Sequence, residues 1–382
     1  MRTSVLLVAA ATKWLATARM PSALQKAGFD VSLLAPKDSL AERSRFVQKV
    51  GHIADRATPA EWIFAFAAMV KAVSPRIVIP CDDTSLRLLQ LLVLSPPNGM
   101  QPALYSSLAT LVRESLGDPA NYRASVDKTL LPPAAETLGV RVPPYAVVAG
   151  IAEARAFAEV QGYPVVVKRG FGAAGEWVAI VFDAGDLART FSRFAAATTL
   201  DLEGSGGARM LVQKHISGKI VLQSMVAWNG MVLAGFAREK VVAHPPTGPS
   251  TVVRCMCAPE VRHFSELLAK GLGMNGFFGV EYIIDDHAGE TWLLEINRRI
   301  TNGVPLGAMI NVDLCSALHG AINGEPQMVR ADLADGEEHL IAHFPQEWLR
   351  DPTSRYLKEC RVDAPWDDPN VLEAMLALRH NG

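Results

Sequence analysis

The sequence has few cysteines, no excess of charge of one sign and no long uninterrupted apolar segment. Its 382 residues include five cysteines, an odd number scattered along the chain. This pattern argues against a disulfide framework and indicates a reducing, cytoplasmic location. No stretch of about 18 uncharged apolar residues occurs, so no membrane span is expected. The apolar start of the chain soon reaches Thr12 and Lys13, which is typical of a buried strand rather than of a secretory signal.

The charge balance and the residue spacing exclude several kinds of binding partner and several kinds of site. Lysine and arginine total 37 and the acids total 39, and the two signs are well mixed along the chain. No nucleic-acid or anionic-membrane surface is therefore expected. Cys255 and Cys257 offer two soft ligands without a second pair of suitable spacing, so no zinc site is predicted. No Ser-His or Cys-His pair suggests a covalent nucleophile.

What the chain does contain is an acidic hairpin. Apolar runs on both sides of the polar segment 285–290 predict two antiparallel strands joined by a short connection. Glu281 then lies opposite Glu295, and the period of two places Asn297 on the same face as Glu295. Neither carboxylate has an obvious local cation, and two like charges need neutralisation when they are buried. Mg²⁺ with oxygen ligands would supply it. The alternative is a hairpin with two solvated acids.

A glycine-rich segment lies further upstream. Lys168 ends the apolar strand 163–168, the small residues of segment 169–175 follow, and a second strand comes after them. Glycines let backbone N–H groups approach a polyphosphate closely, and a lysine at a strand end can reach a phosphate oxygen. The segment joins two strands, so it is neither a Walker loop nor a dinucleotide fingerprint, both of which lead into a helix. The alternative is an ordinary flexible turn.

In order along the chain, these segments resemble the ATP-grasp superfamily, in particular its carboxylate-amine ligase and carbamoyl-phosphate-synthase-like branches. The resemblance covers about residues 120–318. Its strongest part is segment 295–299, Glu-Ile-Asn-Arg-Arg, which is similar to the Glu-x-Asn-Pro-Arg of that family. The other matching segments are Lys128, the strand and glycine loop at 165–175, the stretch 211–218, and Gly279-Val-Glu281.

The resemblance implies a site for ATP and two magnesium ions, with Mn²⁺ as an alternative metal. Lys128 and Lys168 would bind the α and β phosphates, and Arg299 would face the transferred phosphate together with Lys168. The metal ligands would be Glu281, Glu295 and Asn297. The loop that closes over the phosphates would contain Gly170, Gly172, Ala173, Ala174 and Gly175. The hinge strand that holds adenine through its backbone would contain Gln213, Lys214, His215 and Ile216.

The sequence departs from the family pattern in several places. Arg298 replaces the usual proline, which leaves the strand end less rigid or offers the substrate a second cation. Gln213 stands where many members have glutamate, and backbone contacts to adenine tolerate that change. No early acidic residue follows Gly218, so the ribose contact is unassigned. Ala173 and Ala174 make the phosphate loop less polar but keep it small.

The predicted fold is mixed α/β and α+β, with three parts. Residues 1–115 alternate strand and helix, which predicts an N-terminal parallel-sheet domain, Rossmann-like and of the kind that precedes an ATP-grasp fold. Residues 116–318 form the two-lobed ATP-grasp domain, with a small lobe at about 145–210 and a large lobe at about 211–318. Residues 319–382 form a small C-terminal extension ending in a helix. Ligands bind beyond the carboxyl ends of parallel strands, so the loops around Ala9–Lys13 and Cys81–Ser85 are a candidate substrate edge or plain connections.

The predicted function is an ATP-dependent, ADP-forming ligase that joins a small-molecule carboxylate to an amine through an acyl phosphate. Arg254 is a candidate for binding the substrate carboxylate, because arginine offers a bidentate fork. Its alternative role is an ordinary strand ion pair. Two other functions stay open: phosphorylation or carboxylation of a small acid, as carbamoyl-phosphate and biotin-carboxylating relatives perform, and a nucleotide-binding regulatory protein without catalysis. A homodimer is also left open.

Overall fold

A computed structural model describes residues 2–54, 56–171, 177–196, 209–245, 248–325 and 329–380. The first part of the chain forms a four-stranded sheet in the order β3-β2-β1-β4, in which every pair is parallel. Its strands are β1 (Thr3–Val8), β2 (Phe29–Pro36), β3 (Val47–Ile53) and β4 (Ile77–Pro80). Its helices are α1 (Leu15–Lys26), α2 (Pro59–Val73), α3 (Asp83–Leu94) and α4 (Pro102–Leu116). The N-terminal parallel sheet predicted from the sequence is confirmed.

Asp82 fixes the carboxyl edge of this sheet. As the N-cap of α3 it accepts a hydrogen bond from the backbone N–H of Ser85 at 2.8 Å. Its second oxygen accepts from the backbone N–H groups of Ala10 and Ala11, at 2.6 and 3.0 Å. The loops that follow β1 and β4 are therefore held together by one carboxylate at the edge that the sequence predicts for ligands.

The second part of the chain forms a four-stranded antiparallel sheet in the order β5-β8-β6-β7. Its strands are β5 (Tyr145–Val148), β6 (Val165–Arg169), β7 (Val178–Val181) and β8 (Met210–Lys214). The accompanying helices are α6 (Ile151–Gln161) and α7 (Ala184–Ala196), whereas the preceding α5 (Leu131–Thr137) buries its apolar residues in the core of the large sheet described next. Phe194 and Val167 are fully buried in the core between α7 and the sheet. The glycine-rich segment joins β6 to β7, as predicted.

The third part is a seven-stranded sheet in the order β13-β12-β9-β10-β11-β14-β15. Its strands are β9 (Gly218–Trp228), β10 (Met231–Ala243), β11 (Ser250–Met256), β12 (Gly276–Asp285), β13 (Thr291–Asn297), β14 (Glu338–Ala342) and β15 (Arg361–Val362). The helices α8 (Pro259–Gly271) and α9 (Leu314–Asn323) contact β9 and β10. Asn229 and Gly230 form the hairpin turn between β9 and β10, both at positive φ, as an Asn-Gly pair favours.

The last part of the chain is hydrogen-bonded into this large sheet. β14 pairs antiparallel with β11, and the short β15 pairs with β14. The remaining helices are α10 (Gln346–Arg350), α11 (Tyr356–Glu359) and α12 (Pro369–Leu376). Asp363 is buried, and its Oδ1 lies 3.0 Å from Nη1 of Arg19 in α1. This salt bridge connects the N-terminal and C-terminal parts of the chain. The sequence predicts the final helix but not the two strands, and the domain boundaries at 115 and 318 stay predictions.

In the described part of the chain, no helix combines the length and apolar character needed to cross a bilayer. The five cysteines are all free.

Candidate active site

The acidic hairpin forms as predicted. Glu281 of β12 is directly opposite Glu295 of β13, and Gly279 is opposite Asn297. Asp285 closes the turn by accepting hydrogen bonds from the backbone N–H groups of His287 and Ala288, both at 2.7 Å. The register shifts immediately after Glu281, where two residues of β13 oppose one of β12.

The two carboxylates have opposite electrostatic environments. Burial and the charge of Glu295 raise the pKa of Glu281, and Lys240, Arg238 and Arg299 offset this only in part. Burial acts on Glu295 as well, but the nearby charges of Lys128 and Lys168 outweigh it and hold the pKa of Glu295 below its ordinary value. Glu295 is therefore the more readily ionised member of the pair, and the cations near Glu281 offset its burial only in part.

The cations near the two carboxylates come from distant parts of the chain, as the absence of a local cation in the sequence suggests. Lys128 Nζ lies 3.5 Å from Glu295 Oε2. Lys168, only 6% exposed, donates to the backbone carbonyl of Leu294 at 3.3 Å. Burial lowers the pKa of Lys168 to about 8, and the neighbouring charge of Lys128 adds to this while Glu295 and Glu281 oppose it.

Asn297 and Arg299 continue the same face beyond Glu295. Asn297 Nδ2 donates to Glu295 Oε1 at 3.3 Å, and Arg299 Nη2 donates to Asn297 Oδ1 at 3.0 Å. Arg299 also donates from Nε to Asp83 Oδ2 at 2.8 Å, and its guanidinium lies 4.8 Å from the centroid of the Trp14 ring. The carboxyl edge of the N-terminal sheet therefore borders the acidic hairpin.

The predicted hinge lies between the four-stranded antiparallel sheet and the seven-stranded sheet. Gln213 is 2% exposed in β8, where its backbone pairs with β5 and β6. The backbone N–H of Lys214 donates to Pro144 O at 2.8 Å, while the Lys214 side chain is exposed. His215 and Ile216 then connect β8 to β9. This is the position that a hinge between the lobes requires.

The start of the glycine loop is held against Lys128. The backbone N–H of Lys128 donates to Gly170 O at 2.8 Å. A Cβ atom on Gly170 would lie 2.7 Å from Asp127 Oδ1, so this close approach requires glycine. Gly172, Ala173, Ala174 and Gly175 lie outside the described residues.

Two arginines proposed from the sequence lie away from the acidic face. Strand register places Arg254 on the face of the large sheet opposite to Glu281, where it pairs with Glu239 at 2.9 Å and Glu338 at 3.4 Å. The structure thus gives Arg254 the ordinary ion pairs that were its alternative role. Arg298 is buried and donates to Leu116 O at 2.5 Å rather than turning towards Arg299. It stabilises the chain leading out of α4, and it offers no second cation to the site.

Sequence reasoning missed Arg238 and Lys240 of β10. The pairing of β12 with β9 and of β9 with β10 places Arg238 on the same face as Glu281. Both cations are near enough to Glu281 to lower its pKa. The only sequence signal was the alternation of Arg238, Glu239 and Lys240, which separates the two faces of a strand but does not say which face borders a site.

The donor set fits a hard divalent cation that also binds an anionic substrate. No cluster of three or more His, Cys, Asp or Glu side chains suitable for a metal occurs among the described residues. Glu281, Glu295 and Asn297 supply two carboxylates and an amide oxygen, which is the short protein ligand set that Mg²⁺ completes with phosphate oxygens and water. The incomplete neutralisation of Glu281 is what such an ion would relieve.

Residues 127–317 match the family described as "Carbamoyl-phosphate synthase L chain, ATP binding domain". The large chain of carbamoyl phosphate synthase from Sulfolobus acidocaldarius is 25% identical over 200 residues, covering 50% of this chain and 18% of the relative. The chain thus spans less than a fifth of that relative's length.

Two solved structures have a similar fold. The biotin carboxylase domain dimer of Hydrogenobacter thermophilus 2-oxoglutarate carboxylase, in complex with MgADP, ADP and bicarbonate, gives a TM-score of 0.65 at 17% identity, over 89% of this chain and 74% of that one. N5-carboxyaminoimidazole synthetase from Staphylococcus aureus, complexed with ADP, gives 0.62 at 16% identity, over 89% and 82%. At these identities the likeness shows a shared fold.

Proposed function

Since the chain belongs to the ATP-grasp family of carbamoyl-phosphate synthase L chain ATP-binding domains, we propose that it is an ATP-dependent ligase that joins a carboxylate to an amine and releases ADP. One observation carries the proposal: the paired carboxylates Glu281 and Glu295 lie beside Lys128, Lys168 and Arg299. Cations that surround two acids suit a polyphosphate bound through a metal.

The nucleotide contacts follow from the same arrangement. Lys128 and Lys168 bind the α and β phosphates of ATP, beside Gly170 at the start of the glycine loop. Adenine lies against the backbone of segment 213–216, between the four-stranded sheet of β5 to β8 and the seven-stranded sheet. The burial of Lys168 supports this role, because a desolvated ammonium interacts more strongly with a phosphate than an exposed one does.

Glu281, Glu295 and Asn297 would hold Mg²⁺, for which Mn²⁺ is an alternative. When bound, the metal withdraws charge from the phosphate oxygens and orients the triphosphate. The surrounding protein contributes fixed charge: Lys168 and Arg299 stabilise the negative charge that develops on the transferred phosphoryl group.

The chemistry has two steps. An oxygen of the substrate carboxylate attacks the γ-phosphorus, the bond from that phosphorus to the bridging oxygen breaks, and ADP leaves with the electron pair. The product is an acyl phosphate. The amine nitrogen then attacks the acyl carbon, phosphate leaves, and the amine loses a proton to solvent. No covalent enzyme nucleophile is needed.

A second candidate takes bicarbonate as the acid: its oxygen attacks the γ-phosphorus as ADP leaves, and the carboxyl group then passes to a small nucleophilic acceptor as phosphate leaves. The similarity to carbamoyl phosphate synthase and to the bicarbonate complex of a biotin carboxylase domain favours it.

We further propose a cytoplasmic location, supported by five free cysteines.

The test begins with ADP release from the purified protein and MgATP, with pooled carboxylates and amines and separately with bicarbonate. The active acid is then labelled with ¹⁸O in its carboxylate. Label in the released inorganic phosphate supports the acyl phosphate. AMP and pyrophosphate, or unlabelled phosphate, would contradict it. Failure of every acid and amine to stimulate ADP release would favour the non-catalytic nucleotide-binding alternative.

A further inference from the structure

Arg238 is a buried arginine without a salt bridge to any described residue, and burial lowers its pKa while the more distant charges of Cys255, Glu281 and Asp363 oppose this only in part. Its side chain is 3% exposed in β10. Nη2 donates to Ser224 Oγ at 2.9 Å, and Nε has no hydrogen-bond partner. Within the described part of the chain, no carboxylate lies within 4.0 Å of this guanidinium. A buried guanidinium in this state is costly unless an anion binds it.

Arg254, on the neighbouring strand β11, is an example of an arginine in the same sheet whose charge is neutralised by ion pairs. It is more exposed than Arg238, yet it pairs with both Glu239 and Glu338. The two arginines point to opposite faces, and the more buried one has fewer partners. Structural stabilisation of the sheet therefore accounts for Arg254 and leaves the burial of Arg238 unexplained.

The backbone of Gly303 packs directly against the guanidinium of Arg238. A Cβ atom on Gly303 would lie 2.5 Å from Arg238 Cζ, and one on Gly279 would lie 2.8 Å from Thr301 Cγ2. The Ser224 and Thr301 hydroxyls are 3.4 Å apart beside the guanidinium. The unpaired Nε of Arg238 and the two hydroxyl groups thus lie together, and they offer the hydrogen-bond donors that a carboxylate accepts.

The position of this group relates it to the acidic hairpin. Glu281 pairs with Leu222 of β9, and Leu222 pairs with Arg238 of β10, so Arg238 is two strands from Glu281 on the same face. Two strand spacings are about 10 Å. The guanidinium is therefore on the face where we propose that the phosphates bind, and its charge is near enough to lower the pKa of Glu281.

We propose that Arg238, with the hydroxyls of Ser224 and Thr301, binds the carboxylate of the acyl substrate. This rests on the ligase function proposed above and names the residue that selects its acid. One carboxylate oxygen accepts from Arg238 while the other forms the bond to the γ-phosphorus and ADP leaves. After transfer, the guanidinium keeps its bond to the carbonyl oxygen of the acyl phosphate, where negative charge develops during attack by the amine.

The first test needs no turnover and uses acetate as the minimal carboxylate. The thermal unfolding midpoint is measured against acetate concentration at constant ionic strength, with MgADP present. Acetate is expected to raise the midpoint of the wild-type protein and of Arg254→Met, the matched control on the opposite face. Arg238→Met is expected to lose that response. Absence of the acetate effect in wild type, or its retention in Arg238→Met, overturns the proposal.

The second test measures ADP release with whichever of acetate, bicarbonate, succinate and the common amino acids stimulates the wild type. Arg238→Met is expected to bind MgATP like wild type but to raise the KM for the acid about 100-fold, and Arg238→Lys to recover part of the loss. An unchanged KM for the acid overturns the assignment. Should Arg238→Met not fold, Ser224→Ala is expected to raise the same KM. Acetate binding at Arg238 without any ADP release would contradict the ligase function and leave the anion site standing.

Discussion

Arg299 and Asp83 form a 2.8 Å salt bridge between the end of β13 and the first residue of α3. Arg299 is 7% exposed, and Asn297 and the face of the Trp14 ring complete its surroundings. The carboxyl edge of the N-terminal sheet therefore positions a cation next to the acidic hairpin. A substrate that lies between the two would contact both parts of the chain.

Substitution of Glu281 and of Glu295 by Gln is expected to affect the stability of the protein differently but to reduce its activity in both cases. At neutral pH Glu295→Gln removes the partner of Lys128 and Lys168 and should lower the free energy of unfolding by about 1–3 kcal/mol. Glu281→Gln removes a carboxyl group whose raised pKa makes its ionisation unfavourable in the folded protein, so stability should hold or rise. Both should reduce ADP release on the order of 100-fold or more.

The measurements are urea unfolding without nucleotide and ADP release with MgATP. Wild-type turnover in folded Glu295→Gln would eliminate its role as a metal ligand. A loss of stability in Glu281→Gln as large as that in Glu295→Gln would contradict the electrostatic difference between the two carboxylates. Chelation of Mg²⁺ with EDTA should abolish ADP release by the wild type.

Lys168→Met should weaken ATP binding about 10- to 100-fold, because the aliphatic stem is kept and the charged phosphate contact is lost. Calorimetry with Mg²⁺ present measures the change. Lys214→Met is the matched control: its side chain is exposed, and the hinge contact uses the backbone, so affinity should be kept. Equal affinities for the Lys168 variant and wild type would leave Lys168 with a structural role only.

The lowered pKa of Lys168 predicts how ATP affinity depends on pH. In the free protein the ammonium is charged below a pH of about 8 and loses its proton above it. A bound phosphate raises that pKa, so affinity should be full below pH 8 and fall as pH rises through 8 and beyond. Calorimetry in buffers of different ionisation enthalpy should detect proton uptake on binding near pH 8. In Lys168→Arg the guanidinium stays charged, so the proton uptake on ATP binding should disappear. If the uptake persists in this variant, another group is the one that titrates.

The adjacent arginines 298 and 299 are expected to differ in function. Arg299→Met should reduce ADP release on the order of 100-fold, because the cation facing the transferred phosphoryl group is lost. Arg298→Met should keep most of the turnover, since Arg298 bonds the backbone of Leu116 on the other side of the strand. Steady-state assays of the two folded proteins decide this. A collapse of turnover in Arg298→Met without a change in stability would place that side chain in the site after all.

The sequence was sufficient wherever the signal was local. The Glu281 and Glu295 pairing follows from alternation around one turn, and the Asp82 cap follows from its position before a helix. It was insufficient where partners come from far along the chain. Lys128 precedes α5 and comes close to Glu295 only through long-range packing, so the family resemblance could place both in one site but no local pattern could reveal the contact.

The choice between Arg254 and Arg238 shows the same limit. Both are arginines in strands of the same sheet, and alternation gives each strand two faces. Which face borders the site depends on how β9, β10 and β12 pair, and that register is set by contacts across the whole sheet. The strand β14 was missed for the same reason, because its five residues become a strand only against β11.

The pairing of β14 with β11 has a consequence for how the protein can be divided. A fragment that ends at residue 318 has the whole segment that matches the family, yet it leaves the apolar β11 as an open edge. Val252 and Val253 would then be exposed along a strand with unpaired backbone groups, which is the surface through which chains aggregate. The smallest part of this protein that stays monodisperse in solution is therefore expected to be longer than its catalytic region.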